Sequence, residues 1–198
     1  MISLFIDTSL SDVSIALVKD NIILSNIKNT SPKEHSIYTT KFIEDILKEN
    51  NLVPNDINEI IVVNGPGSFT GIRIGVTIAK MYAYLLKKDI KEITSLKIRV
   101  LGFKGKYFLS TIDAKHDNYY IGLYDEDYNT IFEEFNNVDR IDELKEKYNP
   151  VIVTERDDYN IEEIIKYAKH LPSINPHSVN PVYLKLPEAM EKNDKRSN

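Results

Sequence analysis

The chain has 198 residues, a net charge of −5 at pH 7, 42% hydrophobic residues and no cysteine. This length leaves room for one large or two small domains with a real core, and the missing cysteine excludes disulfides, thiolate catalysis and zinc-finger sites. No apolar run approaches the ~20 residues of a membrane span, and residues 1–8 lack the charged and apolar regions of a signal peptide. We therefore expect a cytoplasmic protein that makes no membrane contact.

The first half is predicted to contain consecutive strands followed by two helices around a returning strand. The strands are indicated by alternating and apolar runs, and Asp20-Asn21 can join the second and third of them in a hairpin. Two longer segments show helical periodicity instead. The predicted strands cover residues 2–7, 13–19, 22–28, 60–63 and 92–94, and the predicted helices cover residues 36–48 and 71–87.

The most informative segment is residues 65–75, which read Gly-Pro-Gly-Ser-Phe-Thr-Gly-Ile-Arg-Ile-Gly. A glycine turn between a strand and a helix can bind an anion, and Ser68 or Thr70 can cap the helix. The familiar phosphate loops do not match, because Thr70 replaces the third glycine of a dinucleotide fingerprint and Ile72 replaces the lysine of a Walker loop. The alternative is a tight turn whose glycines only allow close packing.

Small residues recur at every fourth position of the second predicted helix, at Gly71, Gly75, Ala79 and Ala83. Such a stripe lets another backbone approach closely. The first predicted helix has one apolar half and one charged half. The two helices can therefore complete an internal core, or they can leave a shared apolar surface for a partner. At the level of the sequence these two outcomes stay equally open.

The second half is predicted to form a smaller lobe that meets the first near residues 95–102. Its predicted strands cover residues 107–113, 119–124, 131–135 and 151–154, and its predicted helices cover residues 140–147 and 161–170. This order fits two related α/β lobes. We expect domains at residues 1–98 and 99–187, and a frayed polar tail at residues 188–198.

Several short motifs occur in the order seen in one protein family. They are Ile6-Asp7-Thr8-Ser9, His35-Ser36, the glycine-rich residues 65–75, Thr94-Ser95-Leu96, Asp113-Ala114-Lys115 and Pro181-Val182-Tyr183-Leu184. With these motifs the chain resembles the TsaB (YeaZ) family. The resemblance implies a two-lobed fold of the actin, Hsp70 and sugar kinase type, which is ribonuclease H-like. One departure is Lys115, where the family commonly has arginine.

The resemblance also implies a function and partners. It predicts a non-catalytic dimerisation subunit for making threonylcarbamoyladenosine in tRNA, with a TsaD-like catalytic partner and a TsaE-like ATPase. ATP and a metal ion are then expected in the partner subunits, and no cofactor or metal in this chain. The implied interface lies on the two predicted helices and includes His35, Tyr38, Phe42, Ile46, Gly71, Ile72, Gly75, Ile78, Ala79 and Tyr82.

Two further expectations concern binding partners. The same helix face is a candidate for a homodimer when the partner is absent. We expect tRNA to be contacted only indirectly, because no basic stripe interleaved with aromatic residues runs along the sequence, and such a stripe is typical of a stand-alone nucleic-acid-binding protein.

The residues themselves predict no complete active site. The four histidines, at positions 35, 116, 170 and 177, include no pair at the spacing that places two metal ligands on one helix face. Asp7 is the most catalytic-looking carboxylate, and capping of the following turn is its alternative role. An independent small-molecule kinase or a peptidase is the alternative function. The residues that form either a vestigial nucleotide site or a structural turn are Asp7, Thr8, Ser9, Gly65, Gly67 and Ser68.

Overall fold

The computed structural model describes residues 1–29 and 35–185, and of His35 it describes the backbone alone. The first half forms five strands and three helices. The strands are β1 (Ile2–Asp7), β2 (Val13–Lys19), β3 (Ile22–Asn29), β4 (Glu59–Val63) and β5 (Asp89–Ile93). The helices are α1 (His35–Glu49), α2 (Phe69–Leu86) and the short α3 (Ser95–Val100), and a 3-10 turn covers Pro54–Asp56.

The second half repeats part of this order. Its strands are β6 (Tyr107–Asp113), β7 (Asn118–Asp125), β8 (Thr130–Asn137) and β9 (Val151–Thr154). Its helices are α4 (Val138–Tyr148) and α5 (Ile161–Ala168), followed by a 3-10 turn at Pro176–Ser178.

The two sheets share one pattern of pairing. The first sheet has the order β3-β2-β1-β4-β5, with antiparallel pairing from β3 to β1 and parallel pairing from β1 to β5. The second has the order β8-β7-β6-β9, in which β9 takes the place of β4 as the parallel neighbour. Each lobe is therefore an antiparallel meander that is extended by parallel strands, as the prediction of two related lobes requires.

Successive residues of β1 supply the two faces of the first sheet, because side chains alternate along a strand. Leu4 and Ile6 are buried together with residues of α1 and α2. Phe5 lies on the opposite face, where it is buried with α5 residues such as Ile164 and Ile165. The first sheet is thus covered by helices on both faces, and one of those helices comes from the second half of the chain.

Segments from beyond the predicted domain boundary pack on the first sheet. Besides α5, a later segment returns to the first sheet: Ile174 bridges Ile90 of β5, and the Val182 backbone N–H donates to the Asn64 carbonyl oxygen at 2.8 Å. A boundary at residue 98 therefore does not separate two independent packing units. The predicted tail at residues 188–198 lies outside the described residues.

Two local elements differ from their predictions. β5 begins at Asp89, three residues earlier than predicted, since it pairs with β4 along its whole length. Helix α3 was not predicted. It is six residues long, it is capped by the Thr94 side chain, and all six of its residues are buried. A helix this short has too few residues to show a periodic pattern.

Candidate functional site

The glycine-rich turn is held closed by backbone contacts within the chain. Gly65 and Gly67 both have positive φ angles, 109° and 153°, a region that favours glycine. The Ser68 backbone N–H donates to the Ser9 carbonyl oxygen at 2.7 Å, and a Cβ built on Gly67 would lie 2.1 Å from that same oxygen. The space beside the turn is thus filled by the end of β1, which supports the close-packing interpretation over an anion site.

The start of α2 is capped by the first of the two predicted candidates. The Ser68 hydroxyl oxygen accepts a hydrogen bond from the Gly71 backbone N–H at 3.2 Å, while Thr70 is exposed. On the other side of the turn, the Ser95 backbone N–H donates to the Gly65 carbonyl oxygen at 2.8 Å. The Thr94-Ser95-Leu96 motif therefore helps to fix the glycine-rich turn from the first turn of α3.

Asp7 acts as the cap of the turn that follows β1. Its Oδ1 accepts hydrogen bonds from the Ser9 backbone N–H at 2.9 Å and from the Ser9 hydroxyl at 2.7 Å. Burial, followed by the negative charge of Asp7, raises the pKa of the neighbouring Tyr159 hydroxyl well above its ordinary value. These contacts occupy the carboxylate that most resembles a catalytic one, and they favour its structural role.

The small-residue stripe of α2 packs on the end of β1. A Cβ built on Gly71 would lie 2.1 Å from the Thr8 carbonyl oxygen, and one built on Gly75 would lie 2.3 Å from the Thr8 hydroxyl oxygen. That hydroxyl donates to the Gly71 carbonyl oxygen at 2.7 Å. The close backbone approach that the stripe predicts is therefore made inside this chain.

This packing bears on the predicted partner interface. Seven of the predicted residues lie in the core and present almost no surface, namely Phe42, Ile46, Gly71, Ile72, Gly75, Ile78 and Ala79. Tyr38 and Tyr82 are half-buried and pack against that core from outside, while the side chain of His35 is outside the described residues. These seven residues offer little surface to a partner in the single chain, and the partner interface stays a prediction.

An exposed apolar surface nevertheless remains on the two helices. On α2, Ile74, Met81, Tyr82 and Leu85 share one side at the helical spacing of 100° per residue, and Met81 and Leu85 are 45% and 67% exposed. We call these four residues the outer face of α2. On α1, Ile37 is 59% exposed. Burial and the charge of Glu44 on α1 raise the pKa of Tyr82, which places the outer face next to α1.

A cleft of about 500 Å³ lies between the two lobes. Some of its charged side chains form ion pairs. Lys28 forms ion pairs with Asp158 at 2.7 Å and with Asp12 at 3.6 Å, and the Lys115 ammonium contacts the Asp113 carboxylate at 3.2 Å. Hydrogen bonds from Lys115, first of all from its backbone N–H, lower the pKa of Asp113. The Asp113-Ala114-Lys115 motif thus forms a compact turn at the rim of this cleft.

A second polar region lies around Lys97 of α3, and no sequence motif predicted it. Lys97 is 6% exposed and lies near Glu133 of β8 and Glu92 of β5, at a separate cavity of about 340 Å³. Burial lowers the pKa of Lys97 to about 8. A lysine next to apolar residues in a short segment is ordinarily read as exposed, so only the packing of α3 between the lobes reveals this group.

Two kinds of feature are absent from the described residues. Residues 1–29 and 35–185 contain no helix that is both long and apolar enough to span a bilayer. The same residues contain no cluster of three or more histidine, aspartate or glutamate side chains with the spacing of a metal site.

Known proteins resemble this chain over most of its length. Residues 22–191 match the family model described as TsaD, tRNA N6-adenosine threonylcarbamoyltransferase. A Bacillus subtilis protein described as the tRNA threonylcarbamoyladenosine biosynthesis protein TsaB is 35% identical over 162 residues, which cover 77% of this chain and 69% of that protein. The chain belongs to the TsaB (YeaZ) family. The family resemblance that the sequence motifs predicted is therefore confirmed.

Other comparisons agree with this TsaB assignment. The Escherichia coli protein of the same description is 32% identical over 133 residues, which cover 65% of this chain and 57% of that protein. The chain thus spans between 57% and 69% of the length of these two TsaB relatives. The solved structure described as YeaZ from Pseudomonas aeruginosa covers 92% of this chain and 99% of its own, with a TM-score of 0.75 and 20% identity. That likeness confirms the predicted two-lobed α/β fold.

Proposed function

We propose that this chain is an accessory subunit in the biosynthesis of threonylcarbamoyladenosine in tRNA. Its membership of the TsaB family carries this proposal, because the curated TsaB relatives are described by that pathway. In the proposed complex the chemistry takes place on a TsaD-like subunit, which holds the metal ion and the ATP, with a TsaE-like ATPase as a further component. The tRNA is bound mainly by the other subunits.

The proposed docking surface is the outer face of α2 together with the exposed side of α1. Exposed apolar groups such as Met81 and Leu85 lose contact with water when a partner covers them, and exposed apolar patches commonly mark protein interaction sites. The buried glycine stripe packs α2 closely against the end of β1, and this contact fixes the position of the surface. In the absence of the partner, a second copy of the chain is the expected occupant of the same surface.

The structural role of Asp7 supports an accessory subunit rather than an independent kinase or peptidase. Its carboxylate is engaged by Ser9 and Tyr159, and none of the three described histidine side chains forms a hydrogen bond with a serine hydroxyl. A peptidase of the serine type requires such a nucleophile–base pair.

The activity test is reconstitution of tRNA modification from purified components. We expect no threonylcarbamoyladenosine from this chain alone, and formation by the cognate TsaD-like and TsaE-like proteins only when this chain is added. ATP turnover by the isolated chain that disappears in an Asp7→Ala variant would instead establish an enzyme in its own right.

The docking test compares charged substitutions at exposed apolar positions. The double variant Met81→Glu, Leu85→Glu should weaken binding to the TsaD-like protein by about tenfold to a hundredfold in a calorimetric titration, because carboxylates would be buried in an apolar contact. Ile131→Glu is the matched control, since Ile131 is 44% exposed on β8, away from both helices. Equal binding by the double variant and the control would remove the outer face of α2 from the interface.

A further inference from the structure

The cavity beside Lys97 has polar groups whose hydrogen-bonding capacity is not used. It lies where β5, α3, β8 and the segment that follows α5 meet, and its volume is about 340 Å³. A cavity of this size fits a small metabolite. It is separate from the cleft between the lobes and from the proposed docking surface on α1 and α2.

The first unused group is the ammonium of Lys97. It donates one hydrogen bond, to the Tyr128 carbonyl oxygen, and it lies 4.3 Å from the centre of the Tyr124 ring. An ammonium carries three N–H donors. None of the ion pairs among the described residues includes Lys97. The charges of Glu133 and Asp125 act on Lys97 without forming an ion pair, and Glu133 Oε1 accepts hydrogen bonds from the Thr94 hydroxyl and the Tyr124 hydroxyl, both at 2.6 Å.

Among residues 1–29 and 35–185, the other buried lysine is Lys91, and its ammonium is paired. Lys91 lies 3.0 Å from the Glu59 carboxylate, which also accepts a hydrogen bond from the Ser3 hydroxyl. Both members of that pair are buried. Burial of a charge is costly unless it is paired and hydrogen-bonded. Lys97 is as deeply buried as Lys91 but lacks such a carboxylate partner.

The second unused group is a pair of acceptor oxygens on the β4–β5 side of the cavity. Asn64 is 3% exposed, and its Oδ1 has no hydrogen-bond donor, although its Nδ2 donates to the Asn180 carbonyl oxygen at 3.3 Å. The buried Oε2 of Glu92 also lacks a donor. Burial raises the pKa of Glu92 against the opposing effect of hydrogen bonds from Asn64 and Asn180. These two neighbouring oxygens lack hydrogen-bond donors, and the N–H groups of a cation can supply them.

The rest of the lining contains Thr94, Thr130 and Glu133, together with an apolar and aromatic wall. This wall is formed by Ile93, Leu171, Val182 and the ring of Tyr167. Sites for small molecules commonly combine such a wall with a few convergent polar groups. A ligand that matches this cavity therefore has a cationic end, an anionic end and an apolar side chain.

We propose that this cavity binds a zwitterionic α-amino acid with an apolar side chain. Its carboxylate pairs with the Lys97 ammonium, its ammonium donates to Asn64 Oδ1 and Glu92 Oε2, and its side chain packs on the wall that includes Tyr167 and Leu171. The ammonium of Lys97 disfavours a bare metal cation at the same place, because like charges repel. This proposal does not depend on the proposed function, since it concerns a different surface of the chain.

The test uses three probes that differ by one charged group each. L-Valine is the zwitterion, isovalerate lacks its ammonium, and isobutylamine lacks its carboxylate. In amide NMR titrations of the full chain we expect saturable binding of L-valine, with shifts at the Asn64 side-chain amide and at Lys97. Each singly charged analogue should bind at least about tenfold more weakly, because it leaves one buried group unpaired.

Two isosteric or near-isosteric variants assign the two ends of the ligand. Lys97→Met and Glu92→Gln should each weaken L-valine binding by about tenfold or more, whereas Lys104→Met and Glu126→Gln, at exposed positions, should leave it unchanged. The amide spectrum of each variant verifies that it is folded. The proposal is overturned if L-valine gives no saturable shifts, if the three probes bind equally, or if both cavity variants keep the affinity of the unmodified chain.

Discussion

Two polar regions at the ends of neighbouring strands in the first sheet differ in how completely they are hydrogen-bonded. Around the glycine-rich turn, the side chains of Asp7, Thr8 and Ser68 all have partners within the chain. Around the Lys97 cavity, acceptor oxygens of Asn64 and Glu92 have none. Both regions contain buried polar groups, but only in the first region do the named side chains find all of these hydrogen-bond partners within the chain.

This difference separates structural polar groups from candidate binding groups. A buried polar atom without a partner costs free energy, so a region that satisfies all of its own groups needs no ligand to be stable. The turn carries the most specific sequence motif of the chain, yet its geometry favours a packing role. The cavity carries no motif, and its unpaired groups are the ones that a ligand can satisfy.

The largest expected effect comes from filling the contact between α2 and β1. Gly71→Ala should lower the free energy of unfolding by about 3 kcal/mol, because the new Cβ would collide with the Thr8 carbonyl oxygen, which belongs to the backbone and cannot rotate away. Gly75→Ala should cost less, since its Cβ meets a rotatable hydroxyl. Urea unfolding of the isolated variants measures both.

The control for this pair is Thr70→Ala, at an exposed position of the same helix turn, which should change the free energy of unfolding by less than about 0.5 kcal/mol. Alanine is ordinarily a better helix former than glycine. An increase in stability for Gly71→Ala would therefore show that α2 does not pack closely on β1 in solution.

The second expected effect is a pH dependence of the free energy of unfolding, which comes from the unpaired Lys97. Burial lowers its pKa to about 8 in the folded chain, from an ordinary value of 10.5. Between these values the unfolded chain binds more protons, so the free energy of unfolding rises with pH. From pH ~8 to ~10 the unmodified chain should gain about 2 kcal/mol relative to Lys97→Met.

Unfolding curves of both proteins across this range measure the difference. The raised pKa values of the buried Tyr124 and Tyr159 act only above the ordinary tyrosine value of 10.0, and they are common to both proteins. Parallel pH profiles would mean that Lys97 has a charge partner in solution, and the contrast between the two polar regions would then be lost.

The smallest expected effect concerns the cap of α2. Ser68→Ala should lower the free energy of unfolding by about 1 kcal/mol, because the Gly71 backbone N–H loses its acceptor. Ser11→Ala, at an exposed loop position, is the matched control and should have almost no effect. If the two substitutions are equivalent in thermal melting, the hydroxyl of Ser68 does not contribute to the closed turn.

The family, the two-lobed α/β fold and most of the elements could be predicted from sequence patterns alone. Strand and helix periods are local properties of the chain, and the strand–turn–helix at residues 60–86 can be recognised from them together with the glycines. The order of short motifs from residue 6 to residue 184 was sufficient to predict the TsaB family. The two alternative roles of Asp7 could also be predicted, since a residue at the end of a strand either caps a turn or points into a cleft.

The internal side of α2 could not be predicted from the sequence, because it depends on how distant segments pack. The stripe of Gly71 and Gly75 predicts a close neighbour without specifying which backbone that neighbour is, and the contact with Thr8 joins residues more than sixty positions apart. The return of α5 to the first sheet and the burial of Lys97 likewise depend on contacts between distant segments. Burial and hydrogen-bond satisfaction are properties of the packed chain, because the same lysine is solvated in a loop and desolvated where distant segments pack around it.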